Sequence, residues 1–353
     1  MFEELIKGWD GEEVVLGFDH PTATWMFIGV HSRVLGPAMG GTRMKAYANV
    51  EEALVDVLHL SSAMTLKQAA AGLPYGGGKA VLAVSRPPAG PARRELLVRY
   101  GDLVASLGGA YVTAADMNTG QRDMDVIFER CPHVLGRSPE NGGSGDPGAG
   151  TASGVFHGIV SSVRHLFGSD GLEGSTVLVQ GVGSVGSRLA TLLAEAEARV
   201  LVSDTDAERA KRTAKETGAT IVAADEVIGT AADVYAPCAV GGTLSVETIP
   251  RLRCRIVAGA ANNQLAASGD AQRLRDARVL YAPDYVINAG GVIHLAGFET
   301  LGWTQRQVGE RIAGIGHTLT EVYRAAETEG ITTTAAADRI ANARIQAART
   351  RPP

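Results

Sequence analysis

Two lysines and one aspartate have the types and spacing that proton chemistry on a small molecule requires. Lys67 and Lys79 are twelve residues apart, and Asp116 ends a predicted strand, YVTAAD at 111–116. One ammonium group can fix a carboxylate while the other moves a proton, because crowding and burial favour the neutral amine that acts as a base. A carboxylate beside that lysine would orient water or a proton, but would also favour the charged amine. The sequence leaves this balance open, and a solvated surface lysine is the alternative at each position.

Three glycines precede Lys79 in the stretch LPYGGGKA at 73–80 and raise the alternative of a phosphate-binding loop. That loop requires glycine at the first position and Ser or Thr at the last, where the chain has Leu73 and Ala80. The spacing therefore argues against a nucleotide triphosphatase. Because glycine clusters usually form turns, a turn with a solvated lysine is the alternative, and we expect the next strand at AVLAV, 80–84.

A second glycine motif, G-x-G-x-x-G, lies between the strand pattern TVLVQ and a predicted helix, as a dinucleotide-binding loop requires. The first glycine permits a tight turn, the second lets the backbone approach a pyrophosphate, and the third lets the helix pack on the strand. The pyrophosphate then meets the helix N-terminus, which favours an anion. The predicted cofactor-binding residues of this loop are Gly181, Val182, Gly183, Ser184, Val185 and Gly186.

Asp204 follows the next strand pattern, RVLVS, and lies 23 residues after the first glycine of the motif. An acid there accepts hydrogen bonds from the adenosine ribose and repels a 2′-phosphate, so Asp204, with Thr205 beside it, favours NAD over NADP. Arg209 keeps NADP open, since a nearby arginine can bind a 2′-phosphate. A plain strand–helix–strand crossover with a surface aspartate is the alternative interpretation.

Composition excludes several other classes of protein. A chain of 353 residues with 45% hydrophobic and 20% charged residues indicates about two globular domains. A net charge of −5 offers no basic surface for nucleic acid, and no apolar run is long enough for a membrane span. Three cysteines and eight histidines lack metal-ligand spacing, so we predict no metal site. The sparse cysteines and an acidic start without a signal-peptide core favour the cytoplasm.

The elements that must position these residues can be outlined from periodicity and turn signals. We expect a strand at 24–34, a glycine-rich turn at 36–43, and a helix that begins at the cap Asn49 and stops at Gly72. A helix at 93–107 should follow, and the Pro-, Gly- and Ser-rich stretch 138–150 is the best domain boundary. After a helix at 151–167, alternating strands and helices predict a parallel sheet. A long amphipathic helix should begin at Thr304.

Several blocks of the chain resemble the amino acid dehydrogenases, the family of glutamate, leucine, phenylalanine and valine enzymes. These blocks are GPAMGGTR, MTLKQAAAGLPYGGGKAVL, TAADMNT, GRSPENGG, APCAVGG, AGAANNQL and YAPDYVINAGGVI. The resemblance implies reversible, NAD-dependent oxidative deamination of an L-amino acid to a 2-oxo acid and ammonia. It implies an α/β fold with a substrate domain at 1–140, a doubly wound Rossmann-type NAD domain at 141–300, and C-terminal helices at 301–353 packing back between the domains. It also implies a homo-oligomer.

The resemblance assigns a role to each matching residue. Lys67 would bind the substrate carboxylate, Lys79 would activate water for attack on the imine, and Asp116 would assist proton transfer. Asn262 would hold substrate and nicotinamide in register. Further residues implied near the cofactor are Arg43, Thr151, Cys238, Ala239, Ala260, Ala261 and Asn288. An NAD-binding regulator without chemistry is the alternative, and the intact lysines and aspartate argue against it.

The side-chain pocket is expected to include Gly41, Met39, Ala114, Val292 and Leu295. Glutamate enzymes carry a lysine where this chain has Met39, so an apolar side chain is favoured. Phenylalanine enzymes resemble one another in a glycine at the position of Ala114, and the extra methyl group would narrow the pocket. Val292 resembles the aliphatic type, whereas Leu295 does not discriminate. We expect leucine or valine as the substrate, with phenylalanine as the alternative.

Overall fold

The computed structural model describes residues 2–350, and these residues divide into two compact units. The first unit contains the chain up to Asp146, the segment Leu295–Gly302 and the residues from Ala341 onward. The second unit contains Pro147–His294 and Trp303–Ile340. The chain therefore passes between the units at several places.

The first unit is a five-stranded mixed sheet with helices. Its strands are β1 (Glu13–Asp19), β2 (Thr24–Ser32), β3 (Ala38–Lys45), β4 (Gly76–Ala83) and β5 (Tyr111–Ala115), in the order β1-β2-β4-β3-β5. Its helices are α1 (Phe2–Lys7), α2 (Val50–Ala70), α3 (Gly90–Ser106) and α4 (Gln121–Phe128). β2 runs antiparallel to β1 and β4, whereas β3 runs parallel to β4 and β5. The carboxyl ends of β3, β4 and β5 therefore point the same way.

Helix α2 begins as the sequence predicts, because the Asn49 side chain accepts the backbone N–H of Glu52 at 2.8 Å. Its apolar face packs on β2 and β4 through a buried cluster that includes Phe27, Leu54 and Val81. The opposite face of the sheet carries a larger core with Leu82 and Tyr100, which α3 and α4 cover. Because residues in a strand alternate between faces, β3 and β4 each send one set of side chains towards α2.

The second unit contains a six-stranded parallel sheet, as the sequence predicts. Its strands are β6 (Thr176–Gln180), β7 (Arg199–Ser203), β8 (Thr220–Ile221), β9 (Val234–Pro237), β10 (Ile256–Val257) and β11 (Leu280–Tyr281). The spatial order β8-β7-β6-β9-β10-β11 is the 3-2-1-4-5-6 order of a doubly wound dinucleotide-binding fold. The direction of winding reverses between β6 and β9, where such folds bind their ligand.

The remaining α-helices of the described chain lie between residues 148 and 349. They are α5 (Gly148–Phe167), α6 (Ser184–Glu195), α7 (Ala207–Thr217), α8 (Asp270–Asp276), α9 (Asp284–Ile287), α10 (Gly290–Glu299), α11 (Gln305–Glu329) and α12 (Thr333–Arg349). Short 3-10 helices occupy His20–Thr22, Pro139–Asn141, Val227–Gly229 and Ile249–Arg251. The predicted cap of α11 is confirmed, since Thr304 and Gln307 exchange side-chain and backbone hydrogen bonds. Its predicted apolar face is buried, from Val308 to Val322.

The structure corrects two expectations about the first unit. Most of the stretch 36–43, expected to be a turn, belongs to strand β3, and the glycines at 76–78 open strand β4. Glycine clusters usually mark turns, but here neighbouring elements approach the strands too closely for side chains. β1 had no counterpart among the predicted strands. The residues of β1 show little alternation between buried and exposed positions, because the strand lies at the edge of the sheet.

Candidate active site

Lys79 and Asp116 meet on the α2 face of the first sheet. The Nζ atom of Lys79, in β4, lies 2.6 Å from Oδ2 of Asp116, which directly follows β5. The Lys79 side chain is 8% exposed and that of Asp116 is 22% exposed. The structure therefore joins the two predicted catalytic residues in one ion pair that retains limited access to solvent.

The Asp116 carboxylate is held in its ionised form. Burial by itself would raise its pKa, but the charge and hydrogen bond of Lys79, the charge of Arg43 and the backbone N–H of Met117 lower the pKa to about 2. Arg43 contributes through its Nε atom, which lies 3.2 Å from the same Oδ2 atom that Lys79 contacts. Asp116 therefore carries a full negative charge at neutral pH and serves as an acceptor for both cations.

The glycines before Lys79 let other elements pack directly on β4. A Cβ atom on Gly77 would lie 2.1 Å from Oγ1 of Thr65 in α2, and one on Gly78 would lie 2.8 Å from the Tyr111 ring. A Cβ atom on Gly76 would lie 1.7 Å from the carbonyl oxygen of Ser32. These neighbours are all protein atoms, and their close approach buries the strand that carries Lys79.

Met39, Gly41 and Ala114, three of the residues predicted for the substrate side chain, lie on the face that carries Lys79. Strand alternation places Met39, Gly41 and Arg43 on one side of β3, and Gly41 pairs with Ala114 of β5. Met39 is 2% exposed and Ala114 is 7% exposed. A Cβ atom on Gly41 would lie 2.8 Å from the Cβ atom of Asp116, so the absence of a side chain at Gly41 makes room for Asp116.

Two further predicted substrate contacts belong to the same unit. Lys67 is half-buried in the last turn of α2, the helix that covers this face. Leu295 is 7% exposed and lies near Gly136, within 3.7 Å of the position that a Cβ atom would take there. Their contacts with a substrate stay predictions.

Sequence analysis missed the partners of Arg43. Arg43 is expected near the cofactor, but its guanidinium donates hydrogen bonds to Asp116 and to Asp56 of α2. Asp56 also accepts the hydroxyl of Tyr47. Strand alternation in β3 could have placed Arg43 on the side of Lys79, but no pattern in the sequence singles out Asp56. The cofactor contact of Arg43 stays a prediction.

The loop after β6 has the geometry that a pyrophosphate requires. Gly181 has a φ of 88°, and a Cβ atom on Gly186 would lie 1.9 Å from the carbonyl oxygen of Gly181. A Cβ atom on Gly183 would instead meet only the tip of Arg209, at 4.0 Å, so the backbone there is open to a ligand. α6 begins at Ser184, immediately after this open backbone, with Val185 in its first turn. The three glycines therefore fit the roles of turn, phosphate approach and helix packing.

Asp204 lies at the carboxyl end of β7 and contacts this loop directly. Its carboxylate accepts the backbone N–H of Val182 at 2.9 Å and that of Asp206 at 2.8 Å. The side chain is 7% exposed, and Nη1 of Arg209 lies 3.9 Å away. Arg209 pairs more closely with Asp206, with 2.9 Å between its Nε atom and Oδ2 of Asp206. Thr205 lies between the two aspartates in the sequence. A carboxylate has acceptor sites for more than two donors, so a ribose contact by Asp204 is compatible with this geometry.

The remaining predicted cofactor residues of the second unit cluster at the carboxyl ends of its strands. Cys238 and Ala239 follow β9, and Ala239 contacts the first glycine of the loop, with 2.6 Å between its Cβ atom and a Cβ built on Gly181. Burial raises the pKa of the Cys238 thiol to about 12, so the thiol is protonated at neutral pH. In a parallel sheet these ends form the ligand-binding edge.

Asn288 organises the segment that follows β10. Its side-chain nitrogen donates to the carbonyl oxygen of Ala260 at 3.1 Å and to Oδ1 of Asn262 at 2.8 Å. Ala261 lies between these two acceptors. Oδ1 of Asn288 is buried without a hydrogen-bond partner among the described residues 2–350. An unsatisfied buried carbonyl fits a ligand that brings an N–H donor, such as a carboxamide.

Thr151 and Val292 lie where α5 and α10 approach closely. A Cβ atom on Gly290 would lie 2.0 Å from the carbonyl oxygen of Gly150, and one on Gly291 would lie 2.6 Å from Oγ1 of Thr151. Val292 is half-buried in the first turn of α10. Glycines at this crossing therefore bring the two helices together, and the ligand contacts of Thr151 and Val292 stay predictions.

Two classes of site receive no support from the described part of the chain. Within residues 2–350, no group of three or more His, Cys, Asp or Glu side chains is arranged to hold a metal ion. None of the helices in the same range is long and apolar enough to cross a membrane.

Family models match most of the chain. The model described as Glu/Leu/Phe/Val dehydrogenase, dimerisation domain, matches residues 22–133. The model described as Glutamate/Leucine/Phenylalanine/Valine dehydrogenase matches residues 203–351. A third, described as the NAD binding domain of D-isomer specific 2-hydroxyacid dehydrogenase, matches residues 156–240, which contain the glycine loop.

Individual proteins match over nearly the whole length. Valine dehydrogenase of Streptomyces virginiae is 46% identical over 341 residues, which cover 96% of this chain and 94% of the relative. Leucine dehydrogenase of Thermoactinomyces intermedius is 40% identical over 343 residues, which cover 97% of this chain and 93% of the relative. The crystal structure of L-tryptophan dehydrogenase from Nostoc punctiforme superposes with a TM-score of 0.85 at 37% identity, covering 99% of this chain and 100% of that one.

Proposed function

Because the chain belongs to the family of glutamate, leucine, phenylalanine and valine dehydrogenases, we propose that it catalyses reversible, NAD-dependent oxidative deamination of an apolar L-amino acid, with leucine or valine preferred. The family membership predicted from the sequence is confirmed, and it makes the protein an oxidoreductase of amino acids with a nicotinamide cofactor. The observation that carries the proposed chemistry is the contact of 2.6 Å between Lys79 and Asp116.

In the proposed reaction, each polar residue of the first unit has a separate task. The bound nicotinamide ring supplies the acceptor for the hydride that leaves the substrate α-carbon. Lys67 fixes the α-carboxylate by its charge. Lys79, as the neutral amine, takes a proton from the water that attacks the imine carbon, and the ionised Asp116 beside it assists this proton transfer. Water then supplies the oxygen of the 2-oxo acid, and the imine nitrogen leaves as ammonia.

The residues around Met39 support an apolar side chain on the substrate. Met39 is 2% exposed, and its sulfur accepts the side-chain amide of Gln68 at 3.3 Å, a neutral partner. Neither residue offers a charge to a second carboxylate, so glutamate would leave that group unpaired. Ala114 adds a methyl group to the same face, which favours a branched aliphatic side chain. The valine and leucine dehydrogenases that match at 46% and 40% identity agree with this preference.

The alternative is an aromatic substrate, phenylalanine above all. The solved structure that superposes over 99% of this chain is an L-tryptophan dehydrogenase, so this fold also holds an aromatic substrate. One methyl group in an apolar pocket is worth only about 1–3 kcal/mol, which permits overlapping substrates. A regulator without catalysis is the weaker alternative, because Lys79 and Asp116 are paired and Asp116 is ionised.

For the cofactor, NAD is proposed over NADP. The family model matched at 156–240 is described as an NAD binding domain, and Asp204 supplies a negative charge at the end of β7. That charge would accept the ribose hydroxyls and repel a 2′-phosphate. Gly181, Gly183 and Gly186 would hold the pyrophosphate, and the unsatisfied Oδ1 of Asn288 would accept a carboxamide N–H.

Domain roles and assembly are also proposed. The assignment of 1–140 to substrate binding, 141–300 to NAD and 301–353 to helices packing back between the domains stays a prediction, as does a cytoplasmic location. A homo-oligomer is supported by the match to a dimerisation domain and by edge strand β1, where Leu16 is 50% exposed and Phe18 is 38% exposed. Light scattering coupled to size exclusion tests this assembly, and a monomer at assay concentration would contradict it.

The experiment that tests the function is a substrate panel. Wild-type protein is assayed with Leu, Val, Ile, Phe, Trp and Glu, each with NAD and with NADP, by NADH or NADPH absorbance. We expect turnover with leucine or valine and NAD, slower turnover with phenylalanine, and none with glutamate. Exposed Lys211→Ala is the matched control for Lys79→Ala in the same assay. Absence of turnover with every amino acid, in protein that binds NADH, would support the regulator instead.

A further inference from the structure

Arg43 is held from two sides within the first unit. Its Nε atom donates to Oδ2 of Asp116 at 3.2 Å, and its Nη1 atom lies 3.1 Å and 3.3 Å from the two carboxylate oxygens of Asp56. The Arg43 side chain is 13% exposed and that of Asp56 is 23% exposed. The hydroxyl of Tyr47 donates to Oδ2 of Asp56 at 2.5 Å. An unbroken series of contacts therefore runs from Tyr47 through Asp56 and Arg43 to Asp116 and Lys79.

We propose that Asp56, held in place by Tyr47, is a positioning residue for the proton-transfer pair. It fixes the guanidinium of Arg43 so that Arg43 and Lys79 share one oxygen of Asp116. The inference rests on the proposed function, since it concerns the proton transfer that this function assigns to Lys79 and Asp116. An arginine side chain has many rotamers, and a second carboxylate at its far end selects the one that places Nε on Asp116.

The charges around Asp116 explain why this arrangement matters for proton transfer. Lys79 approaches from β4 and Arg43 from β3, while Asp56 of α2 and Tyr47, with Lys45 over its ring at 4.5 Å, lie beyond Arg43. Two cations share one carboxylate, so Asp116 neutralises Lys79 only in part. If Arg43 moved away, Lys79 would have Asp116 to itself, and its ammonium form would be better stabilised.

The test compares kcat and KM over pH for wild type, Asp56→Ala, Asp56→Glu and Tyr47→Phe, with the preferred amino acid and NAD. We expect Asp56→Ala to lower kcat about 10- to 100-fold, the scale of a misplaced catalytic group. The pH at which kcat/KM rises should move upward, because the Asp116 carboxylate then faces one cation in place of two. Tyr47→Phe should show a smaller shift of the same sign, and Asp56→Glu should restore part of the activity.

Controls separate this inference from the proposed function. Asp102→Asn removes another carboxylate of the same unit that pairs with an arginine, Arg130 at 2.7 Å, and should leave the profile unchanged. If wild type and Asp102→Asn oxidise no amino acid, the proposed function fails. If they do, and Asp56→Ala and Tyr47→Phe both keep the wild-type pH profile, the positioning role is overturned. Should Asp56→Ala not fold, the profiles of Tyr47→Phe and Asp56→Glu decide between the two outcomes.

Discussion

Lys79 and Asp116 form their contact of 2.6 Å across a third strand, because β3 lies between β4 and β5 in the sheet. The residue of β3 at this point is Gly41, which pairs with Ala114 just before the end of β5. A side chain there would collide with the carbonyl oxygen of Ala115 and with Cβ of Asp116, each at 2.8 Å. Because Gly41 has no side chain, an opening remains over β3, and Lys79 and Asp116 meet across it.

The first prediction concerns this opening. Gly41→Ala should displace Asp116 from Lys79 and lower kcat about 100-fold, the loss expected from misplacing a catalytic group by about 1 Å. The measurement is steady-state turnover together with the affinity for NADH, which should not change because its proposed site is in the second unit. Gly229→Ala, where an added Cβ meets no atom within 4 Å, is the matched glycine control. Wild-type turnover by Gly41→Ala would show that the sheet accommodates the methyl group.

The second prediction concerns the base. Lys79→Ala should lower kcat about 10²- to 10⁴-fold, the usual contribution of a general acid–base group, while NADH still binds. Turnover and NADH fluorescence are measured on the same preparation, with Lys211→Ala as the control. Ordinary turnover by Lys79→Ala would remove the lysine from the mechanism.

The third prediction uses the lowered pKa of Asp116. Because its pKa of about 2 in the folded protein is below the usual 3.8, the pair stabilises the fold above about pH 4, and this stabilisation is lost as the pH falls towards 2. Wild type should exceed Asp116→Asn in free energy of unfolding by roughly 1–2 kcal/mol near neutral pH. Urea denaturation of both proteins at about pH 6 and about pH 3 should show this difference shrinking with acid. A difference that is constant over this range would contradict the ionised pair.

The fourth prediction concerns the cofactor. Wild type should prefer NAD to NADP, and Asp204→Asn should reduce the ratio of kcat/KM values for NAD and NADP about 10- to 100-fold, since a hydrogen bond to a charged group is worth about 1.5–3 kcal/mol. Asp204 also accepts the N–H of Val182, so thermal unfolding of the variant must be followed in parallel. Asp225→Asn, which removes an exposed carboxylate elsewhere in the same unit, serves as the matched control. Comparable kcat/KM with NADP in wild type would place Asp204 away from the ribose.

The fifth prediction concerns the side-chain pocket. Ala114→Gly should shift the preference from leucine or valine towards phenylalanine about 10- to 200-fold in kcat/KM, the scale of one methylene in an apolar pocket. The control is Ala115→Gly, because the neighbouring side chain of the strand points to the opposite face. Each variant is assayed with both substrates and with NAD. A wild type that already prefers phenylalanine strongly, or an unchanged ratio in Ala114→Gly, would refute the role of Ala114.

Local pattern was sufficient where a feature depends on neighbours along the chain. The cap at Asn49, the capping box at Thr304 and the glycine spacing after β6 were all predicted, and the structure confirms them. The contact between Asp204 and the glycine loop could also be predicted from spacing. Both lie within one strand–helix–strand unit, and the geometry of that unit fixes the distance between the loop after β6 and the end of β7. The parallel sheet and the family also followed from sequence, since alternating elements and long matching blocks are properties of the linear chain.

Only the tertiary structure decided which distant residues meet. Gly77 lies within a strand because α2 packs on it through Thr65, and a cluster of glycines by itself predicts a turn. Asp56 reaches Arg43 because α2 lies across the face of β3, a relationship between segments with no spacing rule to reveal it. The low pKa of Asp116 likewise arises from Lys79 and Arg43 on two other strands. The sequence by itself determined which groups could act and in what fold, whereas packing determined which of them share one carboxylate, because Coulomb and hydrogen-bond energies depend on distances that the chain order does not specify.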